Sequence, residues 1–321
     1  MKLRCAILDD YQGVALDMAD WTQVAPEVDV QVFRERIDGI ENLSRALKDF
    51  EILCLMRERT PVPADLIGAL PKLRLIVSTG GQNLSIDVGA ANRRNIIVCG
   101  TSALPHPTVE LTFALILELA RQAGRESERM KNGKLWQDRV GMDLFGKTFG
   151  IVGLGRLGTK AAGIAKAFGM KVVAWSPNLT PERCAEAGVG YATKDEIFRN
   201  SEIVSVHMQL SAPTRHIIDA AELALMKRNA FLVNTSRGPL INEAALLNVL
   251  REGKIGGFGV DVYDEEPLPS DHPFRRLPNV VMTPHIGFVT VDNYRTYYGG
   301  VVEGIRAWLD GKPIRVAKPV S

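Results

Sequence analysis

The chain has 321 residues, of which 46% are hydrophobic and 24% charged, and it carries a formal net charge of +2. Because a single core stops growing at roughly 250 to 300 residues, this length predicts two domains. A net charge this close to zero gives no reason to expect a polyanionic partner such as a nucleic acid. The isolated basic pairs at 93–94, 227–228 and 275–276 are interpreted as solvated surface.

Cysteine spacing and apolar runs indicate the compartment. The four cysteines lack both metal-ligand spacing and a disulfide framework, so they predict buried thiols in a reducing compartment and no metal site. The N-terminus reaches acidic residues too early for the core of a signal peptide. The most apolar helical stretch, 111–119, is far shorter than a membrane span. We therefore expect a cytoplasmic protein without membrane association.

The first hundred residues alternate between short apolar runs and helical patterns. This alternation predicts a parallel, doubly wound sheet. It ends near Cys99-Gly100-Thr101, where Pro105 and Pro107 break the pattern. The predicted strands are 5–8, 28–33, 52–56, 75–77 and 96–98, and the predicted helices are 42–47, 64–70 and 86–92.

A single long helix is predicted next, from Thr108 to about Lys131, ending at Asn132-Gly133. Its apolar first half predicts burial. Its second half, rich in arginine and glutamate, predicts either an exposed helix or a subunit contact.

A glycine-rich unit at 146–175 follows this helix and organises the rest of the chain. An apolar run at 149–152 meets G-L-G-R-L-G, a helical pattern follows, and a second apolar run occupies 172–175. Strand, tight turn, helix and strand together predict a dinucleotide site. Gly153 allows the sharp turn, Gly155 lets the backbone approach a pyrophosphate, and Gly158 lets helix and strand pack closely. The N–H groups at the start of the helix favour an anion.

The strand and helix alternation then resumes and predicts a second doubly wound unit. A final helix at 294–309 is a candidate to cross back to the first unit, which would make that domain discontinuous. The predicted strands are 203–206, 230–233, 257–260 and 280–282, and the predicted helices are 194–199, 220–226 and 243–251.

Three reactive side chains follow predicted strands of this second unit. Ligands collect at the carboxyl ends of parallel strands, where Arg237, Glu266 and His285 are expected. Histidine titrates nearest neutral pH and suits a proton donor, a neighbouring carboxylate orients its ring, and arginine suits a substrate carboxylate. Taken singly, each also fits a structural role: a surface ion pair, a turn acid before proline, and a histidine held by Pro284. Together at strand ends, the catalytic interpretation is favoured.

The segments G-L-G-R-L-G, N-T-S-R-G, D-V-Y-D-E-E-P and T-P-H-I-G resemble those of the D-isomer-specific 2-hydroxyacid dehydrogenases, in the same order. The resemblance implies that Arg237 binds the substrate carboxylate and carbonyl, that His285 is the acid/base, and that Glu266 pairs with His285. It also implies a substrate loop at Thr79, Gly80 and Gly81, whose backbone N–H groups hold the carboxylate. The expected cofactor contacts are Gly153, Gly155, Arg156, Leu157, Gly158, Ser176, Thr108, His207, Thr235 and Asp261.

The resemblance implies two α/β domains with parallel sheets, the central one a Rossmann dinucleotide-binding domain. The expected substrate-binding domain is discontinuous, 1–101 with 290–321, and the dinucleotide-binding domain is 102–289. A homodimer formed through the long helix is the usual assembly. The family's acid at the end of the second strand is absent from W-S-P-N at 175–178, and no arginine adjoins Ser176, so both NAD and NADP stay open.

The leading hypothesis is an NAD(P)H-linked reductase of a small 2-keto acid, with glyoxylate or hydroxypyruvate preferred. The alternatives are a phosphoglycerate dehydrogenase-like enzyme and a dinucleotide-sensing interaction protein of the same fold. Glutamate at 266 argues against the formate dehydrogenase branch, where glutamine is usual. The chain also ends soon after Trp308, so the regulatory extension of some phosphoglycerate dehydrogenases is not expected.

Overall fold

A computed structural model describes residues 2–134 and 136–319 of the chain. The described strands are short and apolar, as expected for strands buried in parallel sheets. They are β1 (Leu3–Ile7), β2 (Val28–Val32), β3 (Ile52–Leu55), β4 (Leu75–Ser78), β5 (Ile97–Gly100), β6 (Thr148–Val152), β7 (Lys171–Trp175), β8 (Gly190–Tyr191), β9 (Ile203–Val206), β10 (Phe231–Asn234), β11 (Gly257–Val260) and β12 (Val280–Met282).

Helices occupy most of the connections between these strands. They are α1 (Ile40–Leu47), α2 (Ala64–Ala69), α3 (Val88–Arg93), α4 (His106–Arg121), α5 (Ala123–Lys131), α6 (Arg156–Ala167), α7 (Pro181–Glu186), α8 (Lys194–Asn200), α9 (Ala220–Leu225), α10 (Glu243–Arg251) and α11 (Val291–Leu309).

The described residues form two compact units, within Met1–Leu104 plus Val289–Ser321 and within Pro105–Phe288. In the first unit, five parallel strands run in the order β2-β1-β3-β4-β5. Helix α11 returns to this unit and packs on β4 and β5. Beyond it, Arg315 adopts φ +51° and donates to the Gly100 carbonyl at 3.0 Å, which fixes the C-terminal segment to β5.

In the second unit, seven parallel strands run in the order β12-β11-β10-β9-β6-β7-β8. Hydrophobic cores cover both faces: α4 and α6 pack on one, and α8, α9 and α10 on the other. The strand order reverses between β6 and β9, and such a switch point leaves a crevice at the carboxyl ends of the strands. Two parallel sheets flanked by helices confirm the predicted fold class.

The prediction of one long helix through 108–131 is wrong. The helix ends at Arg121 because Gln122 adopts the left-handed conformation, with φ +50°. Glu118 stabilises the break: its carboxylate accepts the N–H of Gly124 at 2.9 Å at the start of α5, and its carbonyl accepts the N–H of Gln122 at 2.7 Å.

The described residues hold neither a membrane-spanning helix nor a metal-binding cluster. No described helix is long and apolar enough to cross a membrane. Among residues 2–134 and 136–319, no group of three or more histidine, cysteine or acidic side chains is arranged to hold a metal ion. The four cysteines Cys5, Cys54, Cys99 and Cys184 are buried free thiols.

Candidate active site

The glycine turn after β6 lies at the switch point of the seven-stranded sheet. Gly153 has φ +105°, and a Cβ there would lie 2.7 Å from the His207 carbonyl oxygen. Gly158 is pressed against the Gly153 carbonyl, which brings α6 close to β6. At Gly155, by contrast, a Cβ would meet no atom within 4 Å. The turn is therefore closed on its protein side and open at Gly155.

This arrangement fits a dinucleotide pyrophosphate. Arg156 and Leu157 are the first residues of α6, and the first N–H groups of a helix have no acceptor within the helix. They concentrate partial positive charge beside the open position at Gly155.

His207 follows β9 on the other side of the switch point. Its N–H donates to the Val152 carbonyl at 2.8 Å, and its Nε2 lies 2.9 Å from the Ser205 hydroxyl. Its Nδ1 is buried and makes no hydrogen bond to the described residues. Burial lowers the pKa of His207 to about 4, so the ring is neutral near pH 7.

Arg237 lies in a loop after β10 that is tied to its neighbours on both sides. Asn234 shapes the loop: its side-chain amide donates to the Arg237 carbonyl at 2.8 Å, and its side-chain oxygen accepts the Ser236 N–H at 3.0 Å. The Ser236 hydroxyl donates to the Val206 carbonyl at 2.7 Å. Gly238 lies against the backbone of Tyr263 with no room for a Cβ. These contacts fix the loop between β9 and the segment after β11.

Glu266 and His285 form a carboxylate–imidazole pair. His285 Nδ1 lies 2.6 Å from Glu266 Oε2, and Glu266 Oε1 accepts the Tyr263 N–H at 2.9 Å. Burial by itself raises the pKa of Glu266. The hydrogen bond and charge of His285, the Tyr263 N–H and the charge of Arg237 outweigh burial, and the pKa is lowered. Arg237 is therefore near enough to Glu266 for its positive charge to act on this carboxylate.

The turn that carries His285 is held by Asp261, the first residue after β11. One carboxylate oxygen of Asp261 accepts the Thr283 hydroxyl at 2.6 Å and the Ile286 N–H at 2.8 Å. The other accepts the Gly287 N–H at 2.8 Å. His285 lies inside this turn with φ +52°. Burial raises the pKa of Asp261, although these three hydrogen bonds act in the opposite direction.

Two threonines expected near the cofactor belong to one polar cluster at the start of α4. The Thr108 hydroxyl donates to the Gly287 carbonyl at 3.1 Å. The hydroxyls of Thr112 and Thr235 lie 2.8 Å apart. The cluster therefore joins α4 to the turn of His285 and to the loop of Arg237. Ser176, at the end of β7, lies in a separate turn, where its carbonyl accepts the Leu179 N–H at 3.1 Å.

The expected substrate loop belongs to the first unit, where two of its N–H groups are already bonded. The Thr79 N–H donates to the Leu55 carbonyl at 2.9 Å, and the Gly80 N–H donates to the Thr101 hydroxyl at 2.8 Å. Within the described part of the chain, the N–H of Gly81 makes no hydrogen bond, and a Cβ at Gly81 would meet nothing within 4 Å. Gly81 is thus the member of this loop with a donor to offer a ligand.

Sequence reasoning missed Arg57. The Arg57 guanidinium lies directly over Gly80, and the backbone N–H of Arg57 donates to the Thr79 hydroxyl at 2.9 Å. No pattern in the sequence places Arg57 beside Gly80. The two residues meet because β3 and β4 pair in parallel and their carboxyl ends lie side by side.

A dinucleotide turn and a carboxylate–imidazole pair at the carboxyl edge of the same parallel sheet define a Rossmann-type class of dinucleotide-dependent oxidoreductase. The fold and the site agree on this class. Comparison with known proteins identifies the family.

A family model described as D-isomer specific 2-hydroxyacid dehydrogenase, NAD binding domain, matches residues 113–287. Glyoxylate reductase from Aeropyrum pernix is 36% identical over 279 residues, covering 84% of this chain and 83% of the relative. Hydroxypyruvate reductase from Thermotoga maritima is 37% identical over 283 residues, covering 86% and 90%. The crystal structure of a phosphoglycerate oxidoreductase from Vibrio cholerae has a TM-score of 0.91 at 34% identity, covering 96% of this chain and 99% of that chain.

The chain belongs to the D-isomer-specific 2-hydroxyacid dehydrogenase family. The predicted family, the enzyme class and a cofactor of the NAD or NADP type are thereby confirmed. The roles of the individual site residues stay predictions.

Proposed function

We propose that the protein reduces a small 2-keto acid to the D-2-hydroxy acid with NADH or NADPH, and that glyoxylate or hydroxypyruvate is the preferred substrate. The observation that carries this proposal is the His285–Glu266 pair, in which Nδ1 and Oε2 lie 2.6 Å apart. The positive charge of Arg237 acts on the Glu266 carboxylate of this pair. The names of the Aeropyrum and Thermotoga relatives support the choice of substrate.

The dinucleotide, when bound, supplies the hydride. Gly153, Gly155 and Gly158 shape the turn that receives its pyrophosphate, with N–H groups from Arg156 and Leu157. Thr108, Ser176, His207, Thr235 and Asp261 are proposed for the remainder of the cofactor. Asp261 has a second task, because it holds the turn of His285.

Arg237 binds the substrate carboxylate and polarises the neighbouring carbonyl, since a guanidinium presents paired donors to a carboxylate. His285 holds the proton. Because Nδ1 is bonded to Glu266, Nε2 is the nitrogen that donates to the carbonyl oxygen as negative charge develops there. Glu266 fixes the ring orientation and stabilises the protonated imidazole.

In the first unit, we propose that Gly81 contributes a backbone N–H to the substrate and that Thr79 and Gly80 shape the loop. The expected division, 1–101 with 290–321 for substrate and 102–289 for dinucleotide, is retained as a proposal; Met1, Val320 and Ser321 lie outside the described residues. The four buried thiols support a reducing, cytoplasmic location.

We also propose a homodimer. Four large apolar side chains are exposed on α5 and the segment that follows it, which is an unusual concentration for a monomer surface. The exposed fractions are 59% for Met130, 73% for Trp136 and 80% for Phe145, and Val140 is fully exposed.

The test is the loss of nicotinamide absorbance with purified protein, offering NADH and NADPH separately against glyoxylate, hydroxypyruvate, pyruvate and a bulkier 2-keto acid. We expect turnover of glyoxylate or hydroxypyruvate with at least one dinucleotide. Failure of every pair, with dinucleotide binding still detectable by fluorescence, would contradict the proposed function and favour the dinucleotide-sensing alternative.

A phosphoglycerate dehydrogenase-like activity is the second candidate, because Arg57 places a cation over Gly80, where a substrate phosphate would be attracted. The Vibrio cholerae structure supports it. Arg57→Ala distinguishes the candidates. If the substrate is glyoxylate, the variant keeps most of its kcat/KM; if the substrate is a phosphorylated 2-keto acid, the loss is large and appears in KM.

A further inference from the structure

A second carboxylate–imidazole pair lies outside the catalytic pair. His272 Nε2 lies 3.0 Å from Glu243 Oε1, and both side chains are largely buried, with 12% and 26% exposed. Glu243 is the first residue of α10, and His272 lies in the segment between β11 and β12. None of the proposed steps uses this pair.

The His272 ring is fixed on three sides. Nδ1 accepts a hydrogen bond from the Phe274 N–H at 3.3 Å. In the neutral ring the proton is therefore on Nε2, which donates a hydrogen bond to Glu243. The ring packs on Phe274 with centroids 4.8 Å apart, and Phe274 packs on Phe258 of β11 at 5.6 Å. His272 is therefore anchored in the hydrophobic core as well as to α10.

The pair joins two loops that meet in the active site. The loop of Arg237 runs through Gly238 directly into α10 and Glu243. The segment of Glu266 runs on to His272, whose N–H donates to the Pro269 carbonyl at 3.2 Å. The same two loops touch at Gly238 and Tyr263. They are thus clamped twice, once on each side of Glu266.

We propose that Glu243 and His272 are positioning residues that hold the Arg237 loop and the Glu266 segment in one relative geometry, so that Glu266 meets His285. The inference rests on the proposed function, because it assigns the pair a role in the same reaction.

A third carboxyl group interacts electrostatically with the pair. Burial, followed by the negative charge of Glu243, raises the pKa of Asp264, which lies two residues before Glu266. Arg215, His216 and His272 act on Asp264 in the opposite direction. Since Asp264 and Glu243 repel each other, loss of the His272 bond is expected to push the Glu266 segment away from α10.

The test compares Glu243→Ala, His272→Ala and the double variant with Glu243→Gln, which keeps the acceptor oxygen. Glu252→Ala, at the other end of α10, is the matched control. We expect each alanine variant to lower kcat/KM for the 2-keto acid roughly 10- to 100-fold. Glu243→Gln and Glu252→Ala are expected to keep kcat/KM near the wild-type value. The kcat/KM of the double variant is expected to be no lower than that of the less active single variant, because both single changes break the same contact.

Two further readouts separate positioning from general destabilisation. In the alanine variants the acid limb of the pH profile of kcat/KM moves to higher pH, because Glu266 loses the His285 contact that lowers its pKa. The dinucleotide Kd changes far less than kcat/KM, because the glycine turn proposed to hold the pyrophosphate belongs to a different loop. Wild-type kcat/KM and pH profile in both alanine variants would overturn the inference, as would fully additive losses in the double variant.

Amide hydrogen exchange keeps the inference testable if the wild type turns over no 2-keto acid or if an alanine variant folds poorly. We expect faster exchange across 261–277 in Glu243→Ala than in Glu243→Gln, and in His272→Ala than in His272→Gln. Equal exchange in both comparisons would contradict the inference independently of catalysis.

Discussion

The His285 ring is held at Nδ1 by Glu266 and backed by Phe288, with ring centroids 5.5 Å apart. Replacing His285 by glutamine keeps a similar shape and removes the imidazole that is proposed to donate the proton. We expect kcat to fall roughly 10²- to 10⁴-fold, the usual contribution of a general acid. Dinucleotide affinity, followed by fluorescence titration, stays at the wild-type value. Undiminished kcat in His285→Gln would rule out His285 as the proton donor.

His207 predicts a pH dependence of stability. Burial lowers its pKa from 6.5 to about 4 in the folded chain, so protonation favours the unfolded state. Its contribution is fully present above pH 6.5 and is lost as the pH falls toward 4, by roughly 2 to 3 kcal/mol. Urea unfolding between pH 4 and 7 measures this decline. His207→Asn is expected to flatten it, and an unchanged slope would assign the decline to other groups.

The reactive side chains at strand ends were the part of the candidate site that the sequence predicted best. Arg237, Glu266 and His285 follow strands that the sequence predicts, so their convergence could be anticipated. The engaged N–H of Gly80 and the three hydrogen bonds to Asp261 could not. Their partners lie 21 to 26 residues away, and no local pattern encodes which donor meets which acceptor.

At the level of elements, the glycine turn between β6 and α6, together with α6 itself, allows a matched series of glycine substitutions. Gly158→Ala forces a methyl group against the Gly153 carbonyl and is expected to cost roughly 1 to 3 kcal/mol of stability. Gly163→Ala, in the same helix with nothing within 4 Å, is expected to stabilise by up to roughly 1 kcal/mol. Gly155→Ala leaves stability nearly unchanged and weakens dinucleotide binding.

Thermal unfolding and dinucleotide titration of the three alanine variants check this series. If Gly155→Ala bound the dinucleotide as tightly as Gly163→Ala does, the pyrophosphate would not approach the backbone at Gly155.

Strands were easier to predict than the elements that lack an apolar signal. β9, β11 and β12 match their predicted bounds because each is an apolar run between turn residues. Helix α7 was missed because only Cys184 is buried in it, and β8 was missed because it is two exposed residues. The break at Gln122 escaped prediction because apolar spacing says nothing about a left-handed residue or about the Glu118 carboxylate that accepts the Gly124 N–H beside it.

At the scale of the whole molecule, the exposed apolar side chains on and after α5 predict that the 35.2 kDa chain sediments as a dimer. Val140→Asp and Trp136→Asp place a charge in the proposed interface and are expected to shift the protein toward monomer, because an unpaired buried charge is costly. Leu16→Asp, at a 50% exposed position in the first unit, is the control. A wild-type monomer at micromolar concentration would contradict the proposed assembly.

The loops that carry Arg237, Glu266 and His285 are proposed to act together with the glycine turn in a D-specific hydride reduction. The most direct measurement is the product formed from hydroxypyruvate with NADH or NADPH, resolved by chiral chromatography. We predict D-glycerate in an amount equal to the dinucleotide oxidised, and none with His285→Gln on the same time scale. L-glycerate, or the same D-glycerate yield from wild type and His285→Gln, would contradict the account.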